Sequence, residues 1–308
     1  MTQAPSTGHV PGAHMAAELA SQPETWEQAA AMVAAGGAAP TAGERVAVVG
    51  CGTSWFMAQS YAAARETAGQ GVTDAFAASE AAPDALVGRG YDAVVAITRS
   101  GTTTEVLELV DRLRGRVRTL GVLGAVGTPF ADLVDDVVAL PFADERSVVQ
   151  TRFATTALAY LRAALGQDLA PAADDARAVL GETLPDVLVD AEQYTFLGSG
   201  WTVGLAHEAA LKMRESSQSW TESYPAMEYR HGPIAIAAPG RVTWGFGAMP
   251  AGIDQDTTAT GAHFEHRRAD PLAELVRVHA VALERARRRG LDPDRPRHLS
   301  RSVVLEGS

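Results

Sequence analysis

Three short apolar runs along the chain each end in a turn rich in glycine or hydroxyl residues. Residues 46–49 (VAVV) lead into Gly50-Cys51-Gly52-Thr53-Ser54, and residues 93–97 (AVVAI) lead into Thr98-Arg99-Ser100-Gly101-Thr102-Thr103-Thr104. Residues 194–197 (YTFL) end in Gly198-Ser199-Gly200. A helix pattern opens after each turn: FMAQSYAAARETA, EVLELVDRLRG and the stretch following Gly200. Apolar runs of this length bounded by glycine read as buried strands, and strand, turn, helix in repetition predicts an α/β fold with mainly parallel sheets covered on both faces. TLGVLGA and DVVALPF supply further strands, and the Ala/Leu-rich stretch 155–190 reads as helical.

Residues 194–200 restate the theme of residues 46–54, so the chain divides into two related halves, the second beginning near residue 190. After residues 241–246 (RVTWGF) the Gly/Thr/Asp-rich stretch 247–269 reads as a loop rather than another helix and strand, which predicts a shortened second sheet. A helix, PLAELVRVHAVALERARRRG, and a Pro- and Arg-containing extension, DPDRPRHLSRSVVLEGS, close the chain. The expected organisation is a disordered head over 1–13, a first three-layer α/β/α unit over 14–185, and a second, shortened unit with its tail over 186–308.

Composition narrows the functional classes. With 308 residues, 46% hydrophobic and 20% charged, the chain suffices for one large or two ordinary globular domains. A formal charge of −11 and a pI near 5.2 oppose nonspecific binding to nucleic acid or an anionic membrane. Cys51 is the single cysteine, which excludes an internal disulfide framework and fits a reducing compartment. The opening MTQAPSTGHVPGA has neither a basic start nor an apolar h-region, and no run approaches the roughly 20 apolar residues that span a bilayer. The expectation is a cytoplasmic protein.

The densest chemistry lies in residues 208–233, EAALKMRESSQSWTESYPAMEYRHGP. Read as a helix, Glu208, Lys212, Glu215 and Ser219 fall at i, i+4, i+7 and i+11 and share a face. The competing reading is a solvated face laced with charge pairs; for His231, before Gly-Pro, it is a loop or packing residue. The two early turns offer free N–H groups at helix N-termini, which bind anions. Ser54, Thr98, Ser100 and Thr103 add neutral donors and Arg99 a charge, although helix capping alone explains hydroxyls at either turn. Neither GxxxxGK[ST] nor GxGxxG is present, so a sugar phosphate fits better than ATP or NAD. His263 and His266 flank Glu265 but lack a third ligand, so no metal site and no cofactor are expected.

Seven ordered segments carry a resemblance: CGTSW (51–55), ASE (78–80), ITRSGTTTE (97–105), ERSVVQTRF (145–153), GSGWTVGLAHEAALKMRE (198–215), ESYPAMEYRHGP (222–233) and PRHLSRSVVLE (296–306). Over residues 14–308 the chain resembles the sugar isomerase (SIS) domain proteins, specifically the isomerase portion of glucosamine-6-phosphate synthase and its stand-alone deaminase relatives. The resemblance implies that Cys51, Gly52, Thr53, Ser54, Thr98, Arg99, Ser100 and Thr103 hold the phosphosugar and that Val148 touches the sugar. It implies Glu215 as the base moving a proton between carbons 1 and 2, with Glu208 and Lys212 shaping its surroundings. His231 would serve ring opening from the partner subunit, which implies a homodimer.

Three departures from that family bear on the reaction. No glutaminase domain and no cysteine at position 2 are present, so glutamine-dependent synthase activity is not expected. Where the synthases place a lysine in a context like 299–302, here with Ser300 beside it, this chain has Arg301, a poor proton shuttle that suits binding of a carboxyl, an oxyanion or the phosphate. A shortened second half leaves room for an N-acyl group. Three readings follow: isomerisation or deamination of a hexosamine 6-phosphate, elimination at carbon 3 of an N-acetylated hexosamine 6-phosphate, and a phosphosugar sensor without turnover.

Overall fold

The computed structural model describes residues 10–305. Strands β1 (Val46–Gly50), β2 (Thr73–Ala77), β3 (Ala93–Thr98), β4 (Arg118–Leu123) and β5 (Asp136–Ala139) form a parallel sheet in the order β2-β1-β3-β4-β5. β1 and β3 are buried along their whole length, which is why their sequences are unbroken Val, Ala and Ile rather than alternating. Helices α3 (Thr53–Thr67), α4 (Pro83–Gly88) and α5 (Thr104–Leu113) make the crossovers. α1 (Ala13–Ala20) and α2 (Gln22–Ala34) precede this sheet, and α6 (Arg152–Ala164), α7 (Ala170–Leu180) and α8 (Asp186–Val189) follow it.

The second sheet contains β6 (Gln193–Gly198), β7 (Trp220–Pro225), β8 (Arg241–Phe246) and β9 (His263–His266), all parallel, in the order β7-β6-β8-β9. α9 (Thr202–Ser217) and α10 (Ile253–Ala259) are its crossovers, and α11 (Pro271–Arg288) packs on α9 and α7. Both sheets share one winding, and the second stops one strand short. Two parallel sheets flanked by helices are the architecture expected of a two-unit SIS-type α/β chain.

The units share one core through α3 and α9. Their crossing is close because residue 204 is glycine: a Cβ there would stand 2.3 Å from the Phe56 carbonyl oxygen. In each sheet the strand order reverses beside the first strand, at β1/β3 and at β6/β8, and crevices for ligands form at the carboxyl ends of such switch points. Thr202 fills the second one, its Oγ1 lying 2.8 Å from the Phe246 carbonyl and 3.0 Å from that of Ser199. The first remains open.

Several sequence expectations are corrected. The stretch 247–269 is not a bare loop: it holds α10 and β9, whose 7 and 4 residues are too short to show a period. Ser219 is not on the helix, because α9 ends at Ser217 and Gln218 turns left-handed with φ 53. The charged stripe is no solvated face, since Glu208 and Lys212 are both 0% exposed. Residues 1–9 of the expected head lie outside the described residues. Residues 10–13 are placed, with the Gly12 N–H on Asp292 at 3.0 Å, while Asp294 accepts from the N–H groups of His14 and Met15 at 2.9 and 2.8 Å. Among the described residues no helix is long and apolar enough to cross a membrane.

Candidate active site

The open switch point is a cavity of about 170 Å³. The turn after β1 contributes Cys51, Gly52, Thr53 and Ser54, and the turn after β3 contributes Thr98, Arg99, Ser100 and Thr103. Glu215 from the last turn of α9 faces the same space, as do Val148 and the tail residues Ser300 and Arg301. Twelve residues named from sequence therefore meet in one place.

Both turns run directly into helices, α3 and α5, and neither helix has a side-chain N-cap. Capping therefore does not account for the hydroxyls. Gly52 holds φ 53 at the start of α3, a backbone that favours glycine. Thr98 Oγ1 accepts the Gly101 N–H and Ser100 Oγ the Thr102 N–H, each at 3.2 Å, which leaves both hydroxyl protons available as donors. Ser100 and Thr103 stand 3.4 Å apart, oxygen to oxygen. Two helix N-termini and several neutral donors thus converge on a small volume suited to an anion. The Cys51 thiol, pushed up to about 11 by burial and then by Glu105, stays neutral beside them.

Arg99 lines the cavity and also makes contacts with the protein's own backbone. Its guanidinium donates to the carbonyls of Ser147, Val148 and Arg301 at 3.2, 3.1 and 2.8 Å, and lies 3.7 Å from Glu145. It clamps the 145–151 loop and the C-terminal tail around the cavity. Arg301 is likewise engaged, through hydrogen bonds to the Glu145 carbonyl and to Asp144. The tail is fastened further by the Thr104 N–H on the Val303 carbonyl at 3.2 Å and by Thr102 Oγ1 on Ser302 at 3.0 Å.

Behind Glu215 lies a buried charge network. Lys212 Nζ donates to Glu215 Oε2 at 2.8 Å and to Thr53 Oγ1 at 3.2 Å, and stands 3.3 Å from Glu208 Oε1. Burial opposes its charge, but Glu208 and Glu215 outweigh burial and hold the ammonium above its usual value. Glu208 has no hydrogen-bond partner for either oxygen, and burial pushes its carboxyl up to about 7 against the pull of Lys212. His279 of α11 packs against it at 4.0 Å; burial, then Lys212, hold that imidazole well below its ordinary value, so it is neutral. Glu215 itself is 21% exposed at its side chain, so the base candidate meets the cavity while its supports do not.

His231 stands apart. It ends a 3₁₀ turn, Glu228–His231, after β7, is exposed, and lines no part of this cavity. Sequence reasoning missed Gln150, Ile97, Val106, Ser302 and Val303 as lining residues, and Glu145 as the buried anchor of Arg99. The signal for Gln150 lay within ERSVVQTRF; its buried Nε2 has no partner and remains a donor. His263 pairs with Glu265 at 2.9 Å and His266 with the Gly247 carbonyl at 2.7 Å, far along the chain from the cavity's elements.

Comparison with known proteins bears on the family resemblance and the fold. Residues 41–165 match the family model described as the SIS domain. The chain is 28% identical over 319 residues to the glutamine–fructose-6-phosphate aminotransferase (isomerizing) of Thermus thermophilus, covering 85% of this chain and 52% of that protein. It spans about half the length of the curated relatives it matches. Among solved structures, the glucosamine-6-phosphate deaminase of Thermotoga maritima superposes with a TM-score of 0.79 at 23% identity, over 94% of this chain and 99% of that one. The C-terminal domain of glucosamine-fructose-6-phosphate aminotransferase from Francisella tularensis gives 0.74 at 19% identity, over 95% and 100%. At these identities the superpositions establish the fold.

Proposed function

We propose that this chain, with its SIS domain, is an enzyme that processes a hexosamine 6-phosphate of the glucosamine 6-phosphate type. Its reaction begins with removal of the carbon-2 proton, leading to aldose–ketose isomerisation with or without loss of ammonia. One observation carries the reading: Glu215 faces the same small cavity as the hydroxyl-lined N-termini of α3 and α5. A phosphate bound at those turns presents the sugar's other end to the carboxylate.

A proton alpha to a sugar carbonyl is weakly acidic, and its removal leaves an enediol-like anion. A positioned carboxylate supplies general base catalysis worth typically 10²–10⁴-fold, and fixed donors stabilise the developing oxyanion. Those two elements suffice for a metal-independent reaction. Glu215 takes the base role, Gln150 supplies the donor for the oxyanion, and the two turns hold the phosphate, which contributes binding energy away from the reacting atoms. Lys212 is the single lysine of the chain and is fully buried between two carboxylates. It orients Glu215 rather than attacking a carbonyl. With Arg301 fastened to Asp144, ring opening falls to His231 supplied across a homodimer. The names of the curated relatives and the solved deaminase point to the same substrate class.

Elimination at carbon 3 of N-acetylglucosamine 6-phosphate is the second reading, favoured by a cavity of about 370 Å³ that adjoins Glu215 and accommodates a nitrogen substituent. Incubation with each substrate, followed by product analysis, separates them. Ammonia and a ketose 6-phosphate from the free amine support the first, and an unsaturated sugar phosphate from the N-acetyl compound supports the second. Binding of both without turnover would move the chain to the sensor class.

A further inference from the structure

Glu215 lines two cavities. The second shares no residue of the phosphate turns and is walled by Arg214, Gln218, Ser219, Arg297, His298 and Leu299. Among the described residues only Gln218 (φ 53) and His298 (φ 64) are non-glycine with left-handed backbone, and both belong to this wall. At Gln218 this is the left-handed cap of α9, its N–H on the Arg214 and Met213 carbonyls; at His298 it turns the tail. The two turns shape one cavity.

Its charge is equally particular. In a chain of net charge −11, this wall gathers two guanidinium groups and an imidazole against one carboxylate, Glu215, which Lys212 already holds. Arg297 and His298 make no side-chain hydrogen bond or ion pair among the described residues, and Arg214 bonds to Thr221 but to no carboxylate. An anion is the missing partner. The phosphate of the substrate is already accounted for at the turns after β1 and β3, and the guanidinium fork pairs with a carboxylate, so the cationic wall suits a carboxylate.

We infer that this cavity is a second anion subsite, which takes a carboxylate carried on the nitrogen substituent of the phosphosugar. The substrate then reaches from the turns after β1 and β3, past Glu215 at the amine-bearing carbons, to Arg297 and His298. This rests on the phosphosugar reading proposed above and narrows it, because the preferred hexosamine phosphate carries an acidic group on its amine.

Calorimetric titration of the full chain with glucosamine 6-phosphate, its N-succinyl derivative and its N-butanoyl derivative tests this. The last two differ by a terminal carboxylate. The N-succinyl compound is expected to bind about tenfold tighter than the N-butanoyl one, the worth of one charge-assisted contact of ~1.4 kcal/mol. In Arg297→Gln the gap closes, and in Arg297→Lys part of it returns. Equal affinity of the two derivatives in the unaltered protein overturns the subsite while leaving the phosphosugar reading intact. Failure of all three ligands to bind contradicts the phosphosugar reading itself, and the subsite with it. Free succinate that weakens the N-succinyl compound but not glucosamine 6-phosphate agrees with the subsite; succinate that binds equally well in Arg297→Gln contradicts it.

Discussion

Lys212 Nζ donates to Glu215 Oε2 at 2.8 Å, and this contact aims the carboxylate proposed as the base. Lys212 lies on α9 one turn before Glu215, and through Thr53 it also reaches the N-terminus of α3, where the phosphate is proposed to bind. One buried ammonium therefore links the two ends of the candidate site.

Removing that ammonium strands two carboxylates, one of them fully buried. Lys212→Met is expected to destabilise the fold by about 3–5 kcal/mol, as when one partner of a buried ion pair is lost. Adding Glu208→Gln in the same chain should recover part of the loss, because the more deeply buried of the two charges is gone. Urea unfolding of the single and double variants measures this; additive losses would show that the two side chains do not interact.

Glu208 gives stability a pH signature. Its carboxyl sits at about 7 in the fold against an ordinary value of 4.5, so the folded protein holds a proton that the unfolded chain has already released. That favourable contribution is complete below pH 4.5 and is lost as pH rises through 7. Glu208→Gln removes the dependence, so its stability relative to the unaltered protein should rise between pH 5 and pH 8, by at most about 3 kcal/mol. Denaturant midpoints at several pH values check it, and a difference independent of pH would contradict the assignment.

Ser100 and Thr103 lie in the turn after β3, away from Glu215's proton transfer. Ser100→Ala and Thr103→Val should each raise KM for the phosphosugar by about tenfold with kcat within a few-fold, the mark of lost uniform binding. Steady-state kinetics on the product assay separates the two parameters. A fall in kcat with KM unchanged would place these hydroxyls at the reacting atoms instead.

A single, buried, doubly paired lysine also predicts what will not form. Borohydride treatment with fructose 6-phosphate should leave Lys212 without a sugar adduct in peptide mapping. An adduct there would show that the ammonium leaves its carboxylates and reaches the cavity.

The legible parts of this fold were those whose sequence is constrained twice. β1, β3 and β6 are covered on both faces, so their residues are mostly apolar, with only Thr98 ending β3 and buried Gln193 and Thr195 within β6, and all three read as strands. β2 and β7 sit at sheet edges, where TDAFA and WTESYP keep polar side chains in partly exposed positions, and no run announces them. α10 and β9 escaped for lack of length. In the site, the i, i+4, i+7 spacing of Glu208, Lys212 and Glu215 was visible. Which of them is buried was not, because α11 and α3, distant in sequence, decide which part of α9 is covered. The contacts of Arg99 with the carbonyls of 147, 148 and 301 were not visible for the same reason, since they are set by tertiary packing of two loops. Gln150 reaches the cavity through that packing too.

The central claim is that Glu215 removes the carbon-2 proton of a phosphosugar bound in the first switch point. Proton NMR in heavy water, with glucosamine 6-phosphate as substrate and the unaltered protein beside Glu215→Gln, tests it directly. The account predicts that the carbon-2 signal is lost through exchange or turnover with the unaltered protein, and that Glu215→Gln, still folded and still binding the substrate, slows the loss by about 10²–10⁴-fold. Loss of the signal at an equal rate in Glu215→Gln, or no loss with either protein on a substrate that demonstrably binds, would contradict it.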